Sequence, residues 1–321
     1  LRSAAYRLGI LRCERVEIAV VSVGNLTVGG TGKTPLTLWL ARRLEGRGRR
    51  VAIVLRGYGG SATTPTVVAH GAGPEVPVEL VGDEAAMLAK CFAGTVIIAR
   101  RRAEGARLAR TLGCDTVVLD DGFQHRSLAR DFDLVVVSHR RGGLLPAGPM
   151  REPWSALRRA DAVALAIRGE ETTAPELPDE VSGSGLATFV VRFRPNALVA
   201  SSAGLWRETP IAELSGARVS AVCGVAEPSA FYATLRGWGA DVQEIFEFPD
   251  HHRYTREDWQ RINRSHGSVD RVVTTEKDLI KLERFPFAKD KLVAIRIQPE
   301  IDDGEALVDA VMQRIREASP G

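Results

Sequence analysis

Residues 18–34, Ile-Ala-Val-Val-Ser-Val-Gly-Asn-Leu-Thr-Val-Gly-Gly-Thr-Gly-Lys-Thr, carry the side chains best spaced for chemistry. Gly29, Gly30 and Gly32 leave room for backbone N–H groups to approach phosphate oxygens. A helix starting at Lys33 would add the partial positive charge of its N-terminus, and Lys33 itself adds a full one. Thr34 is placed to offer its hydroxyl to Mg²⁺, and Pro35 suits a first helical turn that needs no donor. The usual pattern is G-x-x-x-x-G-K-[ST]. Here Thr27 stands at the first glycine position, so the loop reads Thr27-Val28-Gly29-Gly30-Thr31-Gly32-Lys33-Thr34. A glycine-rich connector shares this composition, but an apolar strand before the loop and a helix after it favour a phosphate cradle.

A second cluster follows Asp115–Leu119, an apolar strand that ends in Asp120-Asp121. In a chain with a phosphate loop, carboxylates at a strand end are the other half of a Mg·nucleotide site. Neighbouring side chains on a strand point to opposite faces, so one aspartate serves the metal and the other faces the substrate side. The blander reading is a pair of turn-capping aspartates. Gln124 and His125 follow in a polar loop, and Arg151-Glu152 ends the irregular stretch 142–152. Asp83 and Glu84 open a helix, where capping is the simpler explanation. Two histidines in the turn Pro249-Asp-His-His252 are, taken alone, more often structural than catalytic.

The elements that must position these groups alternate. Strands at 18–23, 51–55, 95–99, 115–119, 134–138 and 162–167 are interleaved with helices beginning near Lys33, Asp83 and Arg101, which predicts a parallel sheet covered on both faces. Arg56-Gly-Tyr58-Gly-Gly60 leaves the C-terminal end of such a strand, where α/β proteins place ligand loops. Residues 61–80 read as an irregular excursion, and 169–186 as a linker. Beyond the linker a second α/β pattern appears, with strands at 219–225, 242–248, 271–275 and 292–297 and helices at 228–238, 255–264 and 305–318. The fold class is α/β, with an N-terminal P-loop domain over 1–184 and a smaller α/β domain over 185–321.

Over 321 residues the net charge is +3, which does not by itself argue for a nucleic-acid partner. The arginine clusters at 42–50 and 100–102 read as solvated helix faces. Four dispersed cysteines fit reduced thiols and argue against a disulfide scaffold or a zinc site. No run approaches 18 apolar residues, so no transmembrane helix is expected. Residues 1–17 are basic and partly apolar, consistent with a helix lying on a membrane surface or covering the sheet. The sequence opens on Leu1 rather than Met, which leaves room for an upstream segment.

Together the motifs resemble the tetraacyldisaccharide 4'-kinases of lipid A biosynthesis. The resemblance is carried by Ser22–Pro35, Arg56–Gly60, Gly82-Asp-Glu84, Asp120–His125, Leu145–Pro153, Phe248–His252 and Thr274–Asp278, in family order over nearly the whole chain. It implies ATP- and Mg²⁺-dependent phosphorylation of the 4'-hydroxyl of an acylated glucosamine disaccharide 1-phosphate. It also implies a peripheral location at the cytoplasmic face of the bacterial inner membrane, and two α/β/α domains hinged about a cleft. Family members usually begin with a hydrophobic docking segment, where this sequence shows the basic stretch 1–17.

Carried over residue by residue, the resemblance makes residues 27–34 and Arg151 nucleotide ligands, with Lys33 on the β/γ-phosphates. Thr34, Asp120, Asp121 and Glu152 fall to the metal, with Asp121 also at the catalytic centre. Asn25, Arg56, Tyr58, Gln124 and His125 fall to the substrate. Asp83 becomes the base for the sugar hydroxyl, supported by a histidine of the 251–252 pair, with His251 favoured; closing the cleft would bring the two together. The alternatives are another P-loop kinase or ligase, or a nucleotide-switch binding protein. The latter would want the order N-K-x-D, which Thr275-Glu-Lys-Asp278 lacks.

Overall fold

The computed structural model describes residues 6, 11–71, 73–139, 142–169, 171–182, 185–202, 205–225, 228–250, 252–288 and 291–318. In chain order the strands are β1 (Ala19–Asn25), β2 (Val51–Leu55), β3 (Thr66–His70), β4 (Thr95–Ile98), β5 (Thr116–Asp120), β6 (Phe132–Val137), β7 (Ala162–Arg168) and β8 (Ala187–Ser202). They continue with β9 (Leu205–Pro210), β10 (Arg218–Cys223), β11 (Asp241–Glu247), β12 (Arg271–Thr275) and β13 (Leu292–Ile301). The main helices are α1 (Lys33–Gly46), α2 (Asp83–Cys91), α3 (Arg102–Thr111), α4 (Pro228–Gly237), α5 (Arg256–Asn263), α6 (Glu276–Leu282) and α7 (Gly304–Ala318).

The chain divides into two compact units, the first made of Leu1–Ile167, Glu171–Arg192 and Pro299–Gly321, the second of Arg168–Glu170 and Phe193–Gln298. In the first, the strand order is β7-β6-β1-β5-β2-β4-β3, parallel throughout except for the antiparallel edge strand β3. Strands β1, β2, β4, β5 and β6 are buried along their whole length, as parallel strands covered on both faces must be. Their Val- and Ile-rich sequences are what made them legible. The parallel register sets Val23 opposite Asp120, so the phosphate loop and the acidic strand end leave the sheet side by side.

Several expectations change. The excursion 61–80 contains strand β3 and the helical turn Val78–Val81. The stretch 187–210, for which no element was expected, forms the long antiparallel hairpin β8–β9. The unit division also differs from a single cut between residues 184 and 185, because the chain returns. Helix α7 turns Leu307, Val308, Val311 and Ile315 inward and packs on α1, β1 and β6 of the first unit. The arginine cluster at 42–50 is drawn into this return: Arg47 binds Glu305 and Asp309 of α7 at 2.6 and 2.7 Å, and Arg49 binds Asp115 at 3.0 Å. Arg42, Arg43, Arg47 and Arg50 remain exposed, as expected of a solvated helix face, while Arg47 and Arg49 pair with acids of the same unit.

The second unit carries the parallel order β11-β10-β12-β13. Two apolar clusters lie within it, one around Leu198, Leu214, Val219 and Leu235, the other around Tyr254, Ile262, Leu279 and Leu282.

Because α7 completes the first unit's core, Leu307→Ala should destabilise the protein by about 2–5 kcal/mol, as large-to-small core changes do. Urea unfolding monitored by circular dichroism reads the shift; an unchanged midpoint would show that α7 is not part of that core.

Candidate active site

Strand β1 ends at Asn25, whose buried side chain donates to Thr31 Oγ1 at 2.8 Å and braces the glycine-rich loop across its mouth. Gly32 occupies the N-cap of α1 with φ 89°, a left-handed conformation that glycine adopts without steric cost. Helix α1 then begins on Lys33, and no acidic residue stands in its first turn to oppose an incoming anion.

The two aspartates meet this helix at two successive residues. Lys33 Nζ lies 3.5 Å from Asp121 Oδ1. Thr34 Oγ1 donates to Asp120 Oδ2 at 3.1 Å, and one turn on, Thr37 Oγ1 donates to Asp120 Oδ1 at 3.0 Å. Asp121 follows the end of β5 with φ 53°, a left-handed conformation outside the strand. The pair therefore splits, Asp120 to the threonines and Asp121, one residue beyond the strand, to the cations.

Arg151 reaches the same point from the irregular loop. Its Nη1 donates to Asp121 at 2.8 and 3.0 Å. Its backbone is fixed against the phosphate loop by Arg151 N–H to Leu26 O at 2.6 Å and Val28 N–H to Pro149 O at 2.8 Å. Gln124 ties both segments together, donating to Asn25 O at 2.8 Å and Glu152 Oε1 at 3.2 Å. Glu152 also pairs with Arg159 at 3.1 Å, so its carboxylate is engaged by a guanidinium rather than grouped with the aspartates. Among the described residues no group of three or more His, Cys, Asp or Glu side chains is placed to hold a metal.

Asp83 and Glu84 form the first turn of α2, with Gly82 as N-cap. A Cβ at Gly82 would come 2.2 Å from the carbonyl oxygen of Tyr58, so only glycine lets the 56–60 loop pack here. That contact sets Asp83 beside the loop carrying Arg56 and Tyr58, both of which are exposed. Glu84 is close enough to act on Asp120. His125 faces α3, its Nε2 lying 3.1 Å from Ser127 Oγ and 3.4 Å from the Arg102 amide. In the second unit, His252 lies 2.9 Å from Asp258 and stacks on Phe248; His251 lies outside the described residues.

One participant escaped the sequence reading. Arg102 stood in a cluster read as solvated, yet it is 3% exposed, its Nη1 donating to Ala99 O at 2.7 Å. Burial lowers its pKa to about 10, against the attraction of Asp120 and Asp121. It is a buried cation beside the paired acids. Its apolar neighbour Ala103 and its place at the start of α3 were the available signals.

The profile of the family described as tetraacyldisaccharide-1-P 4'-kinase matches residues 1–316. The chain belongs to the tetraacyldisaccharide 4'-kinase family. It is 42% identical over 336 aligned positions to the tetraacyldisaccharide 4'-kinase of Anaeromyxobacter sp. (strain K), covering 100% of this chain and 88% of the relative. The Chromobacterium violaceum tetraacyldisaccharide 4'-kinase is 40% identical, covering 88% and 79% respectively. Among solved structures, the "apo" form of LpxK from Aquifex aeolicus in complex with ATP superposes with a TM-score of 0.81 at 30% identity, covering 98% of this chain and 94% of that one.

For a 4'-kinase site the donor chemistry fits Mg²⁺. Two oxygens about 2.1 Å from an octahedral Mg²⁺, at right angles, stand about 3 Å apart. Thr34 Oγ1 and Asp120 Oδ2 are 3.1 Å apart. Mg²⁺ commonly takes one or two protein oxygens and leaves its other positions to phosphates and water. Asp120 is 4% exposed, and burial, then Glu84, push its pKa up to about 6, with Lys33 opposing. For Asp121 burial also raises the value, but Lys33 and Arg151 outweigh it and hold the carboxyl below its usual range.

A carboxyl raised in the folded state binds its proton more tightly there than in the unfolded chain. Metal-free protein should therefore lose about 3 kcal/mol of stability as pH rises from about 4 through about 6, relative to an Asp120→Asn variant. Urea unfolding of both proteins across this range measures it; parallel profiles would remove the assignment.

Proposed function

We infer that this chain transfers the γ-phosphoryl group of ATP to the 4'-hydroxyl of an acylated glucosamine disaccharide 1-phosphate. The observation that carries the reading is the double pairing at the start of α1, Lys33 with Asp121 and Thr34 with Asp120. Family membership supplies the acceptor. A regulatory switch or a ligase finds no comparable support.

In this reading, residues 27–34 cradle the phosphates, Lys33 binds the β/γ oxygens, and Thr34 with Asp120 would hold Mg²⁺. The ion, when bound, supplies charge neutralisation on the phosphates. Arg151, tethered to the phosphate loop, is the second cation for the transferring group. The sugar oxygen forms its bond to phosphorus as the bond to the ADP oxygen breaks, and Asp83 receives the hydroxyl proton. Because the transition state is loose, the base mainly orients the hydroxyl and takes its proton late. Asp83 at the first position of α2, next to exposed Arg56 and Tyr58, supports giving that loop to the acceptor.

His251 supports Asp83 on the strength of the resemblance, and Glu152, Asn25, Gln124 and His125 act as bracing or acceptor-side groups. The enzyme is placed peripherally at the cytoplasmic face of the inner membrane because its acceptor is a lipid. Among the described residues, no helix is long and apolar enough to cross a membrane, and Leu144 and Leu145 are exposed.

Transfer of labelled γ-phosphate from ATP to the disaccharide 1-phosphate in detergent is the direct test, with Lys33→Ala expected to lose about 100-fold or more. Asp83→Ala should lower kcat by about 10²–10⁴-fold with little change in KM for ATP. No transfer by the intact chain sinks the reading, and near-normal turnover in Asp83→Ala removes that residue as base.

A further inference from the structure

Arg130 takes no part in the chemistry above, yet its side chain is only 9% exposed and turns back onto the loop that follows Asp120 and Asp121. Its Nε and Nη2 donate to Asp133 Oδ2 at 3.1 and 3.0 Å. Its Nη1 donates to the carbonyl oxygens of His125 and Leu128 at 3.2 and 2.9 Å. The guanidinium thus grips a carboxylate on one side and two peptide oxygens of the loop on the other. A planar fork of fixed N–H directions is suited to that.

The grip is anchored in the sheet. Asp133 is the second residue of β6, and its amide donates to Asp161 Oδ2 at 2.8 Å. Asp161 Oδ1 in turn accepts from Arg314 of α7 at 2.8 Å. The contacts therefore run from the returning helix through Asp161 and Asp133 to Arg130 and the loop, all within the first unit. His125 N–H donates to Gly122 O at 2.8 Å, so the peptides on both sides of His125 are held. The residue just before it is Gln124, whose amide joins Asn25 O to Glu152 Oε1. Further on, residue 14 closes the loop, Glu14 N–H donating to Ser127 O and Ala129 N–H to Glu14 O, each at 2.8 Å.

A buried ion pair is a poor stabiliser, because desolvation offsets most of its attraction. What the Arg130–Asp133 pair holds explains its place better than stability does. We propose that Arg130 is a positioning residue for phosphoryl transfer, fixing the loop so that the Gln124 amide bridges the phosphate-loop strand end at Asn25 and the Arg151-Glu152 segment. This rests on the reading that residues 27–34 and Arg151 handle the transferring phosphoryl group. Gln124 is the link between the two segments that bring Lys33 and Arg151 to Asp121. A misplacement of about 1 Å in such a constellation costs up to about 100-fold in rate.

The test measures kcat, KM for ATP and thermal midpoint of Arg130→Lys, of the paired Arg130→Met/Asp133→Asn variant, and of Gln124→Ala, with ATP and the disaccharide 1-phosphate as substrates. Lysine keeps a cation beside Asp133 but loses the fork. The expected result is a loss of about tenfold or more in kcat for each, with KM for ATP held within about twofold. Adding Arg130→Lys to Gln124→Ala should cost less than about twofold further, since both act through one side chain. Wild-type kcat in Arg130→Lys, even with a lowered thermal midpoint, makes Arg130 structural only and overturns the proposal. So do a loss confined to KM for ATP, wild-type kcat in Gln124→Ala, and a double variant in which the two losses multiply in full. No transfer by the unaltered chain removes the underlying reading instead. Should the paired variant fail to fold, Arg130→Lys decides, because it retains a charge opposite Asp133, whose side chain is 7% exposed.

Discussion

A carboxylate taken almost wholly out of water, Asp120, is the constraint around which the first unit is arranged. Its desolvation would be prohibitive without partners, and the partners are two hydroxyls spaced one turn apart on α1. That requirement fixes the rotation of α1 about its axis relative to the end of β5. Once α1 is so oriented, Lys33 must face Asp121, and the preceding glycines must open toward the same point. The strand order β1-β5 and the register of Val23 with Asp120 make the arrangement reachable from the backbone. Gly24 completes it, since a Cβ there would come 2.5 Å from Phe123 Cβ in the loop that follows the aspartates.

Much of this was legible because it depends on local chemistry. The phosphate loop announces itself by glycines, Lys33 and Thr34 after a strand. The aspartates announce themselves by following an apolar run, but their division between two partners owes to the left-handed turn at Asp121, which strand alternation does not describe. The hairpin β8–β9 was not legible, because β8 mixes Arg192, Arg194 and Pro195 into its apolar pattern and its pairing is set by the partner strand. The return of α7 to the first unit was hidden for a similar reason. Its amphipathic face shows that something is covered, but not what. Arg102 was misread because neighbours in sequence, Arg100 and Arg101, are exposed while it is not.

Charge is used in two distinct ways. At the end of α1 and on α7, Arg47, Glu305 and Asp309 are largely exposed, where ion pairs add little stability and mainly select which helix faces meet. Asp120, Lys33 and Arg102 are largely withdrawn from solvent, where each is costly unless its partners are correct, while Asp121 beside them stays partly exposed. Only the second arrangement constrains geometry tightly enough to matter for chemistry.

Asp121 shows why a fold would keep such an arrangement. Its left-handed backbone costs on the order of 1 kcal/mol or more for a non-glycine residue, and its carboxylate is attached to two cations at once. Neither feature is needed to build a parallel sheet. Both are needed to hold Lys33 and Arg151 at one point before any phosphate arrives. Cations held there by a fixed anion do not have to reorganise when charge develops on a transferring group, which is where preorganised electrostatics acts on a barrier. The strain at β5's end and the burial of Asp120 are then two costs of one device, and the Val- and Ile-rich strands around them supply the burial that offsets both.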